Sequence, residues 1–327
     1  MTHDSLYVLA ALCALVVATE YLVRRTFFRH FGTALLVILV TAVVANLGWI
    51  PAGSSAEAPV PVYDAIFAYL APLAIFWLVL PISLREVLKA GLPIIALFLI
   101  GSVGVMVGTY IGGSINFNAV ALGYDVVRDG TLFAGTVVVD NILTAVWMMA
   151  TLALPRLVLP LWRTREGSQP AADPDYDVTG VAEDTETVHP LDLAILLGLG
   201  FAALYLSNYA SAALADAGWN VPSILILTAL ALALAQFPVF ATLRGTRVLG
   251  MFAVYLFLAV IGAFCDVVRL VGLGRTGLLL LGFATTLVAV HGLFTFAGAR
   301  LLRIDPETAA VASQANIGGG TSALAVA

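Results

Sequence analysis

Nine separate runs of about twenty mostly apolar residues constrain this chain more than any other feature of it. They lie near Leu6–Val23, Phe31–Ile50, Tyr63–Ser83, Gly91–Gly108, Thr131–Leu154, Leu191–Leu214, Val221–Phe240, Val248–Val268 and Gly277–Ala299. Each has the length of a helix that crosses a bilayer, where a spanning segment must satisfy its own backbone hydrogen bonds. With 61% hydrophobic and 11% charged residues, a chain of 327 residues cannot coat a soluble globule. A cytosolic enzyme, a nucleic-acid binder and a disordered regulator are excluded. The expected fold is an all-α polytopic membrane protein whose main partner is the lipid bilayer.

Charge gives the orientation. Arg24, Arg25 and Arg29 follow the first run, Arg85 and Lys89 the third, and Arg156, Arg163 and Arg165 the fifth. Arg244 and Arg247 follow the seventh run, and Arg300 and Arg303 the ninth, whereas Pro51–Val62 and Ala215–Asn220 carry no base. The positive-inside rule then places the ends of odd-numbered helices in the cytoplasm and the N-terminus outside, with Arg269 and Arg275 as exceptions. Met1–Ser5 contains no Lys or Arg, so the first run reads as a retained helix and not as a cleaved signal. The predicted location is the plasma membrane, crossed many times. The stretch 163–190 holds seven acids and two bases, which accounts for the whole net charge of −5. It reads as a solvated cytoplasmic linker between a first half, 1–162, and a second half, 191–327. Cys13 and Cys265 lie in apolar runs without paired spacing, which supports neither a disulfide framework nor a zinc site.

The two halves share a motif. Tyr110–Ala121, YIGGSINFNAVA, aligns with Asn316–Ala327, NIGGGTSALAVA, at six of twelve positions. Each copy follows the fourth run of its half, and five runs precede the linker, so the copies approach from opposite sides. That is an inverted-topology repeat, a plan on which many secondary transporters are built. Adjacent glycines do not hold a regular helix cheaply, and irregular backbone at membrane depth survives only where it lines a cavity or is buried in protein. Two broken or re-entrant elements are therefore expected. Glycines also let helices pack closely, but two related copies dense in small polar groups favour a binding site. Its candidate residues are Gly112, Gly113, Ser114, Asn116 and Asn118 in the first copy. In and before the second copy they are Ser313, Gln314, Asn316, Gly318, Gly319, Gly320, Thr321 and Ser322. Free N–H groups there would favour an anion, and free carbonyls a cation.

Gly91 and Gly112 are 21 residues apart, whereas Gly277 and Gly318 are 41 apart. Either the first hairpin is short by design or the chain carries a deletion. The sequence stops inside the apolar run Ala323–Ala327, so a tenth helix is expected in the parent protein and the second half is incomplete.

Asp140, followed by Asn141, falls near the middle of the run Thr131–Leu154. A carboxylate at that depth costs about 2.5 kcal/mol or more and faces a cavity or a partner. Asp140 and Asn141 complete the candidate site, with sodium near Asp140 as its candidate ion and no other metal. The remaining polar residues have simpler readings. His291 reads as a satisfied packing residue, Asn46 as a cap or kink at the end of the second run, and Asn208 as interhelical glue. Asp266 is placed to pair with Arg269. Gly272–Gly277 matches G-x-G-x-x-G, but it joins two membrane helices and follows no strand, so it carries no meaning.

Across Gly108–Phe117, Asp140-Asn141 and Ala312–Gly319, together with Asn46-Leu47-Gly48 and Val62-Tyr63-Asp64, the chain resembles the uncharacterised membrane-protein family called domain of unknown function 819. That family usually has a longer segment before its first motif and a last helix after its second. Its name implies no activity. In plan it is distantly similar to sodium-coupled carboxylate symporters and cation–proton antiporters, a likeness of fold that carries no substrate across. The expected function is an ion-coupled secondary transporter, driven by sodium or protons, for a small solute, anionic solutes included. A cation–proton antiporter is the alternative. An intramembrane enzyme or a non-transporting membrane scaffold is the alternative of another class. No nucleophile–base pair or metal constellation is visible at depth, so no catalysis and no cofactor are expected. The small partners are the solute and its coupling ion, and a homodimer is the oligomeric expectation.

Overall fold

A computed structural model describes residues 4–26, 28, 33–54, 58–82, 100, 130–158, 162, 188–219, 221–241, 243–318, 322–323 and 326. Among these residues the chain is helical, with no strand. The helices are α1 (Ser5–Arg25), α2 (Thr33–Asn46), α3 (Pro61–Val79), α4 (Gly130–Val158), α5 (Pro190–Asp216) and α6 (Ser223–Ala235). They continue with α7 (Pro238–Ala241), α8 (Thr246–Ala263), α9 (Val267–Gly272), α10 (Gly274–Leu302) and α11 (Pro306–Ile317). Among the described residues, six stretches are long and apolar enough to cross a membrane: α1, α3, the Val138–Pro155 part of α4, α5, Thr246–Gly272, and α10. Phe201, Tyr205 and Tyr209 on α5, and Leu278 and Leu293 on α10, are exposed, as lipid contact requires.

Eight of the nine apolar runs coincide with helices; the fourth, Gly91–Gly108, lies outside the described residues except for Ile100. Two of the eight are shorter than expected. α2 has 14 residues, about 21 Å at 1.5 Å per residue, against a hydrocarbon core of about 30 Å. It stops because Gly48 takes φ +76° and the Trp49 amide turns back to the Val44 carbonyl at 3.2 Å, a Schellman-type ending. α6 stops at Ala235, and Pro238 opens the four-residue α7. The starts are capped. Asp4 Oδ1 accepts the amides of Leu6 and Tyr7 at 3.0 and 2.9 Å, and Arg24 and Arg25 oppose the dipole at the other end of α1. Asp305 Oδ1 accepts the Thr308 amide at 2.6 Å, with Pro306 in the first turn of α11.

The described elements form two compact units. One gathers α3, α5, α6, α7 and α8 up to Phe257; the other gathers α1, α2, α4, α8 from Leu258, and α9 to α11. In the first, α3 contains a π-helical turn at Ile66–Leu70, and its Trp77 Nε1 donates to the Leu196 carbonyl at 3.0 Å. Gly200 makes room for that indole: a Cβ there would stand 3.0 Å from Nε1. Asn208 of α5 is exposed and does not act as interhelical glue. Its neighbour Ser207 faces inward and donates to the Ala203 carbonyl of the same helix at 2.7 Å.

In the second unit, Asn46 both ends α2 and ties it to the start of α9. Its Nδ2 donates to the carbonyls of Ala42 at 2.8 Å and Cys265 at 2.6 Å, and its Oδ1 accepts the Val267 amide at 2.9 Å. Asp266 caps α9 by accepting the backbone amide of Arg269 at 2.8 Å, so the contact expected with the Arg269 side chain is made by its main chain. The turn between α10 and α11 holds Arg303 in the left-handed region at φ 57°, and Trp162 Nε1 donates to the Ile304 carbonyl at 2.8 Å. α10 and α11 thus form a tight antiparallel hairpin.

Candidate functional site

Only 12 residues long, α11 includes Ser313, Gln314 and Asn316, all fully buried. A helix this polar is costly against lipid, and α4 and α10 enclose it. Gly135 approaches Leu280, and Val139 and Leu143 share one buried cluster with Ala284, Val288 and Ile317, so α4 and α10 run in parallel. Ala299 of α10 clusters with Ala309 and Ala312 of α11, small residues that let the hairpin close.

Polar groups from the three helices meet at one level. Trp147 Nε1 of α4 donates to Ser313 Oγ at 3.0 Å, and His291 Nε2 of α10 lies 2.8 Å from the same oxygen. The two rings meet edge to face, with centroids 6.2 Å apart. Gly292 makes this possible, since a Cβ there would run into the Trp147 ring. One turn along α4, Thr151 Oγ1 lies 3.4 Å from Gln314 Oε1. Among the described residues, Gln314 Nε2 and Thr295 Oγ1 are buried without a hydrogen-bond partner.

Asp140 belongs to this face of α4. Spacings of 7 and 11 residues put Asp140, Trp147 and Thr151 on one helical stripe, and Asp140 is only 5% exposed. Because α11 runs antiparallel to α4, Ile317 falls in one cluster with Val139 and Leu143, which flank Asp140 on α4. At Gly318 neighbouring side chains close on the backbone and leave no room for a side chain. A Cβ there would stand 2.6 Å from Gln314 Nε2 and would collide with the Ser322 hydroxyl.

Of the candidate residues, the structure brings Ser313, Gln314, Asn316, Gly318 and Ser322 together at one end of α11, and it buries Asp140 on α4. Asn316 Nδ2 donates to the Ala312 carbonyl of its own helix at 3.2 Å. Asn141 is half-buried, turned about 100° around α4 from Asp140. Gly112, Gly113, Ser114, Asn116 and Asn118, and also Gly319, Gly320 and Thr321, lie outside the described residues. His291 is packed, as expected, but it also joins the cluster directly through Ser313. Trp147, Thr151 and Thr295 were not anticipated. The signal was present as the i+7 and i+11 spacing from Asp140 and the i+4 spacing from His291 to Thr295.

Helices long and apolar enough to cross a membrane, packed around a buried polar cluster, define an all-helical membrane protein. More particularly, the chain matches the model of a family described as protein of unknown function DUF819 over residues 7–110 and 107–327, and it belongs to that family. The two matched stretches meet just before the first Gly-Gly motif. The chain is also similar to a protein called uncharacterized membrane protein YjcL of Bacillus subtilis (strain 168). The two are 29% identical over 334 residues, covering 90% of this chain and 81% of that protein. No solved structure matches.

Proposed function

We propose that the chain is an ion-coupled secondary transporter for a small solute, with Asp140 and the polar end of α11 at its centre. One observation carries this reading. Side chains of Trp147, Thr151, His291, Ser313 and Gln314, from three helices, converge near the end of α11, and α4 also buries the carboxylate of Asp140 two turns from Trp147. Burying so many polar groups where hydrocarbon surrounds the protein is expensive, and such groups characteristically mark substrate and ion paths. The repeated Gly-Gly motif adds the plan of an inverted repeat, in which broken helices meet at the midplane. The driving force is a sodium or proton gradient. The protein crosses the plasma membrane many times with its N-terminus outside, and it needs neither cofactor nor catalytic group. Asp140, the one buried carboxylate among the described residues, also suits exchange of a cation for a proton, the second reading.

Reconstitution into liposomes tests both. Uptake from a panel of small labelled carboxylates, or of labelled sodium, is measured under imposed sodium and pH gradients. Asp140→Asn keeps shape and most hydrogen bonds and is cheaper to bury than a carboxylate, so the variant folds. Coupled flux is expected to vanish. A folded variant with unchanged sodium and pH responses would sink the role given to Asp140, and turnover of a compound without any gradient would favour an enzyme.

A further inference from the structure

Asn208 stands at membrane depth on the exposed face of α5. The helix has 27 residues, about 40 Å of length against a hydrocarbon core of about 30 Å. Asp192 and Asp216 mark its polar ends, and nothing charged lies between them. Asn208 is 8 residues from Asp216 and 16 from Asp192. With the core centred between the two acids, its amide lies about 9 Å inside the hydrocarbon. The hydroxyls nearby are tied to backbone: Ser207, Ser211 and Thr228 donate to the carbonyls of Ala203, Val221 and Ile224 at 2.7, 2.6 and 2.8 Å. Asn208 differs. Among the described residues its side chain makes no hydrogen bond. Lipid tails offer neither donor nor acceptor, so an amide facing them is costly.

The surface around the amide is shaped for a second helix. Ala194, Gly198, Phe201, Tyr205, Asn208 and Ala212 follow one another at intervals of 4, 3, 4, 3 and 4 residues, and all six are exposed. That spacing is the seam of a left-handed helix pair. Leu196, Ala203 and Ser207, which α5 turns inward, fall on the opposite side. Gly198 leaves the backbone open to close approach, since a Cβ there meets nothing within 4 Å. The amide itself selects the partner. A carboxamide holds both donors and an acceptor, so it is complementary to its own copy. Copies of one membrane protein share an orientation in the bilayer, and a two-fold axis along the membrane normal sets each residue of two parallel helices against itself. No like-charge repulsion opposes this, because Leu193 to Ala215 carry no charge. A single Asn in such a seam fixes the register of two parallel helices. An unrelated partner would need a matching polar group at the same depth, whereas a second copy always has one. We infer that α5 pairs with α5 of a second copy along the stripe from Ala194 to Ala212, with the two Asn208 amides bonded across the axis. This pairing does not depend on what the protein carries.

The test uses the full chain in two assays. For the first, Cys13 and Cys265 are replaced by serine, single cysteines are placed on α5, and membranes are treated with copper phenanthroline. Tyr205→Cys and Ala212→Cys should give a disulfide-linked dimer of this chain. Leu206→Cys, exposed but turned about 100° around the helix from Tyr205, should not. The second assay follows energy transfer between labelled copies in liposomes as the protein is diluted with lipid. Asn208→Leu should weaken association by roughly three- to twentyfold, the range that hydrogen bonds between membrane helices give. Gly198→Leu should weaken it too, because its side chain has free space in its own chain and blocks only the approach of a second copy. Neither variant should lower the unfolding stability of the detergent-solubilised monomer. Wild-type protein that stays monomeric at every dilution overturns the inference, as does a dimer that both variants leave intact. Cross-linking through Leu206→Cys alone puts the contact on another face and overturns it. Loss of monomer stability in Asn208→Leu shows that another segment of the same chain holds the amide, and cross-linking of Ala212→Cys to a different protein instead of a second copy shows an unlike partner. Either result also overturns it.

Discussion

Gly292→Ala separates two effects of opposite sign. In the middle of a helix, alanine is favoured over glycine by about 1 kcal/mol, so helix propensity alone predicts stabilisation. The packing predicts the reverse. A methyl carbon on residue 292 would run into Cη2 of Trp147 and stand 2.9 Å from Cζ2 and 3.3 Å from Cζ3. Carbon pairs settle at about 3.5–4.0 Å, so the ring must retreat by roughly 1 Å. It has little freedom to do so, because Nε1 is bonded to Ser313 at 3.0 Å and the ring edge meets His291. A retreat of that size stretches the Ser313 bond beyond useful length. Overpacking costs about 1–3 kcal/mol and a buried donor deprived of its acceptor about 1–3 kcal/mol more. After subtracting the propensity gain, a net loss of about 1–5 kcal/mol remains. Packing wins.

Unfolding in mixed detergent micelles measures this, with Gly282→Ala as the control. Gly282 lies on the same helix, and a Cβ there meets nothing within 4 Å, so that variant should be neutral or slightly stabilised. Trp147→Phe supplies the second arm, because phenylalanine lacks the outer ring atoms that Gly292 accommodates. In that background Gly292→Ala should lose most of its penalty, a coupling of about 1–3 kcal/mol in a double-mutant cycle. If Gly292→Ala stabilises the protein as Gly282→Ala does, or if its cost is unchanged without the indole, the close approach of α4 and α10 at this level is wrong.

The other predictions concern packing, capping and orientation. Gly262→Ala should cost more than Gly250→Ala in the same unfolding assay: a Cβ at 262 meets the Ile38 backbone, which cannot yield, whereas at 250 it meets the Leu78 side chain, which can. Equal costs would refute the helix contact at Gly262. Asn46→Ala should destabilise by about 1–3 kcal/mol, because the Cys265 carbonyl and the Val267 amide lose their side-chain partner. Asn46→Asp, which cannot donate, should recover little of that loss. In a chain with Cys13 and Cys265 replaced, cysteines at positions 54 and 216 should react with a membrane-impermeant reagent in intact cells, and one at 175 should not. Labelling at 175 from outside would reverse the proposed orientation.

The helices were legible because bilayer-length apolar runs leave the backbone one economical solution. Their ends were less so. Counting apolar residues carried α2 through Leu47, Trp49 and Ile50, whereas Asn46 and the left-handed Gly48 had already ended it. Asp140 and the Ser313–Ser322 stretch could be singled out because a polar group inside an apolar run is expensive wherever it ends up. Trp147 and Thr151 could not, because an indole and a hydroxyl are unremarkable on a membrane helix until the neighbouring helix is known. His291 illustrates the same limit: its packing role was readable, but its partner Ser313 lies 22 residues away on the next helix. Pairing of this kind depends on how α4, α10 and α11 slide past one another, and no local pattern contains that information.

That sliding nevertheless has a cause in the residues themselves. α11 presents Ser313, Gln314 and Asn316 within one turn, so lipid is a poor neighbour and the helix must be enclosed by protein. Enclosure on the α10 side is possible only where small residues meet, at Ala299 against Ala309 and Ala312, which fixes the hairpin. On the α4 side the bulky Trp147 must find a gap, and Gly292 provides it. Once the indole is seated there, its Nε1 reaches Ser313 and the vertical position of α11 is set. Asp140 lies two helical turns along the same stripe of α4. The position of the Gly318 end of α11 is therefore set by packing elsewhere. A change at Gly292 that shifts α11 should disturb the site at Gly318 while touching none of its groups.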